Sequence, residues 1–124
     1  MRAEPRGFGD LGEAAAARFL EKRGYRIVGR NVRLRRGEID LIAYDREVLV
    51  FIEVKARRGM RFGGAFWAVD RRKRERLGRL AEEYLARERL EDPACRFDLV
   101  LIQGGPDGAM SMDLIQNAFD RPGD

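Results

Sequence analysis

Residues Gly37 to Arg58 read GEIDLIAYDREVLVFIEVKARR, and this stretch decides the fold. Within it, Glu38–Tyr44 alternates Ile39, Leu41 and Ala43 against Glu38, Asp40 and Ile42, the period-two pattern of a strand with one more apolar face. Asp45–Glu47 is a short turn. Val48–Ala56 is then almost continuously apolar, as in a strand buried on both faces of a sheet. Two charges, Glu53 and Lys55, interrupt that run. An ion placed there is costly unless it is paired or holds a metal.

The spacing of these charges is informative. Glu53 and Lys55 stand at i and i+2, so both leave the same sheet face, about 7 Å apart along the strand. If the hairpin closes with a two-residue loop at Arg46-Glu47, Asp45 faces Val48 and Asp40 falls directly opposite Glu53. Cross-strand Cβ atoms are then roughly 5 Å apart, and two such carboxylates can share one divalent cation. The competing reading is an internal ion pair, Glu53 with Lys55, that stitches the sheet and leaves Asp40 on solvent. Lys55 weighs against it. Arg supplies 22 of the 25 basic residues, and the lysines are Lys22, Lys55 and Lys73. A compact ammonium at this position suits a point contact with an attacking water or a developing phosphate charge, which Arg makes poorly.

Outward from this hairpin, residues 10–23 form a helix: Asp10 is its N-cap, Leu11, Ala15 and Phe19 recur at helical spacing, and Gly24 stops it. Tyr25–Val32 is a first strand and Arg33–Gly37 a basic turn. Gly59, Gly63 and Gly64 mark a loop before a long helix over about 66–89, with Val69, Leu77, Leu80, Ala81 and Tyr84 as its apolar stripe. Pro93 breaks the chain ahead of a strand at Arg96–Ile102, and Ala109–Ile115 reads as an edge strand. The order α-β-β-β-α-β, with that further strand, implies an α/β fold with a mixed sheet flanked by helices. No linker divides the 124 residues, so 1–124 reads as a single domain with 116–124 as a flexible tail.

Composition removes several chemistries. Without His there is no Ser-His-Asp triad, no His base and no His metal ligand, and one Cys, Cys95, excludes Cys-rich zinc sites. Cys95 reads as a small buried hydrophobe. The longest apolar run, Val48–Ile52, is too short to cross a bilayer, and the N-terminus lacks a signal peptide's apolar region. The expectation is a cytoplasmic protein without a membrane partner. Any metal site is built from oxygen ligands, which favours Mg²⁺, Mn²⁺ or Ca²⁺. A formal charge of +4 with 37% charged residues suits either a polyanionic partner or an ion-pair-rich surface.

The remaining motifs divide. Gly7 to Gly12 matches G-x-G-x-x-G, but too few residues precede it for the strand that a dinucleotide fingerprint needs. Asp10-x-x-Glu13 reads first as a capping box, with Glu13 as a further metal carboxylate the alternative. Phe66 and Trp67 read as core or helix staple, with an interface or base-stacking role as the alternative. Arg33, Arg35 and Arg36, then Arg57, Arg58 and Arg61, then the run Arg71-Arg72-Lys73-Arg74 could ring the carboxylates with positive charge and draw phosphate towards them.

Gly12 to Ala16 (G-E-x-x-A), Arg30 to Arg33 (R-N-V-R), Gly37 to Ile42 (G-E-I-D-L-I), Phe51 to Arg57 (F-I-E-V-K-A-R) and Arg96 to Asp98 (R-F-D) together resemble the YraN-type family of small bacterial proteins. That family in turn resembles archaeal Holliday-junction resolvases of the PD-(D/E)XK nuclease superfamily. The resemblance runs from about residue 9 to 103. It implies a restriction-endonuclease-like core and a Mg²⁺- or Mn²⁺-dependent endonuclease acting on DNA, branched or structured DNA included. It also implies Asp40, Glu53 and Lys55 as catalytic residues, and Asp40, Glu53, the Val54 carbonyl and Glu13 as metal ligands. Arg33, Arg35, Arg36, Arg57, Arg58, Arg61 and Lys73 are then the nucleic-acid contacts, and a homodimer is the expected assembly. Ile39 stands where the superfamily often has Pro before the Asp. The alternatives are a non-catalytic nucleic-acid-binding module on the same fold, or an assembly protein if Phe66 and Trp67 form an apolar interface.

Overall fold

The computed structural model describes residues 8–58, 71–104 and 109–118. Its elements are α1 (Phe8–Lys22), β1 (Arg26–Leu34), β2 (Gly37–Asp45), β3 (Val48–Arg58), α2 (Arg71–Arg87), β4 (Cys95–Gly104) and β5 (Met110–Ile115). The five strands lie in sequence order in one sheet. β3 and β4 run parallel, joined through α2, and every other neighbouring pair is antiparallel. This is the mixed α/β sheet expected from the sequence, and it is consistent with a restriction-endonuclease-like core.

The β2–β3 hairpin closes at Arg46-Glu47, with Asp45 opposite Val48 and a positive φ at Arg46. β3 lies between two strands and under both helices, so its apolar run is fully used: Leu49, Val50, Phe51 and Ile52 are all buried. Alternate residues feed two cores. Leu49 and Phe51 join Leu77, Leu80, Tyr84, Phe97 and Leu99 beneath α2. Val50 and Ile52 join Ala16, Ala17, Leu20, Val100 and Ile102 beneath α1. The α2 stripe is Leu77, Leu80, Ala81, Tyr84 and Leu85, as helical spacing requires.

Four expectations need correction or limitation. Helix α1 begins at Phe8, so Asp10 lies inside it and cannot be the N-cap of a capping box. Ile39 and Leu41 do not share a face: Ile39 and Ile42 pack under α2, whereas Leu41 and Ala43 pack under α1. The break in alternation falls at Asp40. Residues 116–118 are not a free tail, because Ala118 donates its N–H to the Phe97 carbonyl and Asn117 donates its own to Asp98. The expected helix start at 66, and with it Phe66, Trp67, Val69 and the glycine loop, lies outside the described residues.

Candidate functional site

The β2–β3 ladder stops at Leu41–Ile52, yet β2 continues beside β1 to Gly37 and β3 continues beside β4 to Arg58. The sheet therefore forks between β2 and β3, and Asp40 and Glu53 are the first residue on each arm. An N–H released from a ladder needs another acceptor. Val54 N–H finds it in the Asp40 carboxylate, Oδ2 at 2.8 Å. In an antiparallel ladder one residue offers its N–H and C=O to the same side, so the Val54 carbonyl opens towards the same fork.

Glu53 and Lys55 project towards α2, on the face that carries Phe51. Glu53 is 9% exposed, and its partner is Lys73 of α2, with Nζ to Oε2 at 2.5 Å. Glu53 is thus met by a cation reaching across from the helix, a partner the strand spacing did not indicate. Lys73, assigned from sequence to the outer basic rim, instead faces the carboxylate. Burial works against its charge, but the Glu53 carboxylate and the nearby Asp40 charge outweigh it and raise its pKa.

From the opposite face comes Glu13. Gly12, one residue before it, packs closely on the sheet: a Cβ there would stand 3.2 Å from Ile102 Cδ1 and 3.6 Å from Ala56 Cβ. The close approach delivers Glu13 to the fork, where it hydrogen-bonds Asp40. Glu13 therefore lies beyond the first turn of α1 and beside Asp40 at the fork. Burial first, then the Glu53 charge, pushes the Asp40 carboxyl up to about 7; the Val54 hydrogen bond opposes this and Glu13 reinforces it.

Asn31 is a member of the site that periodicity did not reveal. The pairs Arg30–Leu41 and Val32–Ile39 bracket it opposite Asp40, and its φ is 49°. With its amide nitrogen turned inward, the orientation that satisfies its neighbours, Asn31 donates to Glu13 Oε1 at 2.6 Å and Glu38 Oε2 at 3.1 Å. The sequence signal for it is the Asn of the R-N-V-R motif.

Oxygen donors of this kind suit Mg²⁺ or Mn²⁺, which bind through one or two carboxylates and keep several waters. Asp40, Glu53, Glu13 and the Val54 carbonyl could hold such an ion. Among the described residues no three His, Cys, Asp or Glu side chains are drawn together closely enough to enclose one; the Lys73 ammonium sits on Glu53 instead. The donor set, carboxylates with one backbone carbonyl, is the chemistry such an ion takes.

The basic residues are spread more widely than a single ring. Arg33 is exposed and its carbonyl accepts Arg87 Nη1 at 3.3 Å. Arg35 and Arg36 form the exposed β1–β2 turn, which is tied to α2 where Glu83 accepts the Arg35 N–H at 2.9 Å. Arg57 and Arg58 end β3, paired with Gln103 and Gly104, and Arg61 lies outside the described residues. Arg76 and Arg79 of α2, beyond the conspicuous run at 71–74, share a groove with Arg35 and Arg36.

The Arg96–Asp98 pair lies on β4, with Arg96 beside Val50 and Asp98 beside Ile52, and its contacts run back towards the β2–β3 hairpin. Fully buried Asp98 accepts Tyr25 Oη at 2.6 Å, Arg96 Nε at 2.9 Å and Asn117 N–H at 2.9 Å. Arg96 also reaches Asp45 at 2.8 Å. This network ties α1's exit, the hairpin, β4 and the end of β5 together, and it accounts for the R-F-D motif structurally.

Two comparisons bear on this arrangement. The chain is 59% identical over 114 residues to a UPF0102 protein of Symbiobacterium thermophilum, covering 92% of this chain and 97% of the relative. It is 45% identical over 120 residues to one from Magnetococcus marinus, with 93% of each chain covered. No helix among the described residues is long and apolar enough to cross a membrane. Residues 12–102, from the close-packed Gly12 to the end of the β4 core, match the family described as Uncharacterised protein family UPF0102, and the chain belongs to that family.

Proposed function

We propose that this protein is a divalent-metal-dependent nuclease that hydrolyses phosphodiester bonds in DNA. The observation that carries the reading is the fork: Asp40, Glu53 and Glu13 arrive from three elements at the one place where β2 and β3 separate, with Lys55 beside them. The E-x-K spacing of Glu53 and Lys55 after Asp40 resembles the PD-(D/E)XK superfamily, and the mixed sheet is compatible with that core. In this reading Asp40, Glu53 and the Val54 carbonyl hold Mg²⁺ or Mn²⁺, with Glu13 as a further carboxylate. The ion supplies an acidified water and neutralises charge on the scissile phosphate. Lys55 would orient an attacking water or donate to the phosphate oxygens on which negative charge develops. Asn31 fixes Glu13 through its amide.

A second reading has its own support. The Glu53 charge is already met by Lys73, which a non-catalytic nucleic-acid-binding module would equally allow. Cleavage assays on linear and branched DNA with Mg²⁺ and Mn²⁺ decide between them. Lys55→Ala is expected to lower cleavage by orders of magnitude with binding retained, and Glu53→Ala to abolish it. Wild-type protein that binds DNA and cuts none of these substrates with either metal establishes the binding module.

A further inference from the structure

Arg35, Arg36, Arg76, Arg79, Leu80 and Glu83 line a groove of about 500 Å³ between the β1–β2 turn and α2. Four guanidiniums face one carboxylate there, and that carboxylate already accepts the Arg35 N–H. Among the described residues, none of the four is held in an ion pair. All four are exposed and keep their donors free for a ligand, while Leu80 closes the floor at 1% exposure. A concave surface with surplus guanidinium donors and one apolar wall is suited to phosphate oxygens, which Arg binds through its two-pronged fork.

Its position relative to the fork can be measured along two elements. On α2, Lys73 at the Glu53 carboxylate, Arg76 and Leu80 stand at i, i+3 and i+7 on one face, so Leu80 lies about 10 Å along the axis from Lys73. On β2, Gly37, which lies against Leu80, is three residues from Asp40, again about 10 Å. The two rulers agree. At that separation one strand can present a phosphate to the groove and a nearby phosphate to the fork at the same time.

The geometry points to a second phosphate site in this groove, which grips the backbone of the substrate strand close to the bond held at the fork. The ligand is a nucleic-acid phosphodiester, and the assignment to a strand leading to a cleavage site rests on the nuclease reading above. Arg76 and Arg79 are the positioning residues. They anchor the strand and take no part in the chemistry.

The test is fluorescence anisotropy of labelled single-stranded and duplex oligonucleotides in EDTA, across a range of salt. It compares wild type, Arg76→Ser/Arg79→Ser and the control Arg46→Ser, which changes an exposed Arg at the far hairpin. The double variant is expected to bind about tenfold more weakly, with a log–log salt slope shallower by about one for each phosphate it no longer neutralises. Its melting temperature and its Mn²⁺-induced stabilisation should match wild type. A double variant with wild-type affinity and slope, or weakened no more than Arg46→Ser, overturns the groove even if wild type cuts DNA. A wild type that loses binding in the double variant but never cuts leaves the groove standing and removes the nuclease reading. Wild type without affinity for either oligonucleotide overturns both.

Discussion

Lys73 of α2 and Glu53 of β3 face each other at the fork as an ion pair with side-chain exposures of 26% and 11%. One ammonium thereby meets part of the negative charge that Asp40, Glu53 and Glu13 concentrate there, and it ties the start of the described α2 to the sheet. A divalent cation at the same carboxylates would compete with it.

Lys73→Met follows from that competition. Without metal, the substitution strands a nearly buried carboxylate, and stability should fall by up to about 3 kcal/mol. With Mn²⁺ the competitor is gone, so the ion should stabilise the variant more than it stabilises wild type at equal concentration. Thermal melts with and without Mn²⁺ measure both effects. An unchanged metal-free melt together with an unchanged Mn²⁺ increment would mean that the pair neither supports the fold nor opposes the ion.

Asp40 gives a pH signature. Its carboxyl is raised from 3.8 to about 7 in the folded protein, so between those values the native state holds a proton that the unfolded chain has released. Stability should therefore fall as pH rises from about 4 to 7, because the unfolded state binds fewer protons. Asp40→Asn keeps an acceptor for Val54 N–H and removes the charge. It should melt above wild type at pH 8, by at most about 4 kcal/mol at roughly 1.4 kcal/mol per pH unit, and match it near pH 4. Urea titrations at both values test this; equal stability of the two proteins at pH 8 would remove the carboxylate crowding.

Asp98 separates stability from function. Asp98→Ala leaves Arg96, Tyr25 Oη and the Asn117 N–H without their buried acceptor, a loss on the order of 3–5 kcal/mol. DNA affinity measured well below the lowered melting temperature should stay at the wild-type value, since Asp98 bonds to Tyr25, Arg96 and Asn117 and to none of the carboxylates at the fork. A drop in affinity in the still-folded variant would place this network in the binding surface.

The hairpin and its charges were legible because local rules govern them. Loop length fixes register, and Asp45 opposite Val48 carried Asp40 and Glu53 to the same end of β2 and β3. The partner of Glu53 was not legible, since whether Lys73 faces solvent or the sheet depends on how α2 docks, and helical spacing within a charged run leaves that open. Glu13 was ambiguous until the helix start at Phe8 moved Asp10 off the cap. Asn31 was hidden because its role comes from a positive φ and a cross-strand neighbour, neither of which leaves a period in the sequence. Arg76 and Arg79 form a groove only once the β1–β2 turn is laid against α2. The face change at Asp40 defeated strict alternation, and it occurs where the ladder that would enforce alternation ends.

Gly12 offers a test of how α1 presents Glu13. A Cβ at this position meets the mobile end of Ile102 at 3.2 Å, which can yield by a few tenths of an ångström. Gly12→Ala should therefore be close to neutral, the small clash offset by about 1 kcal/mol of helix propensity. Gly12→Leu cannot be absorbed between Ile102 and Ala56, and overpacking of this kind costs about 1–3 kcal/mol. The larger side chain should also lift the first turns of α1 and withdraw Glu13 from Asp40, so the fall in stability between pH 4 and 7 becomes shallower, as it should in Glu13→Gln. Melting the three variants across that range distinguishes the effects. If Gly12→Leu is destabilised but keeps the full wild-type pH slope, α1 packing and the delivery of Glu13 are independent, and the carboxylate reaches the fork by the flexibility of its own side chain.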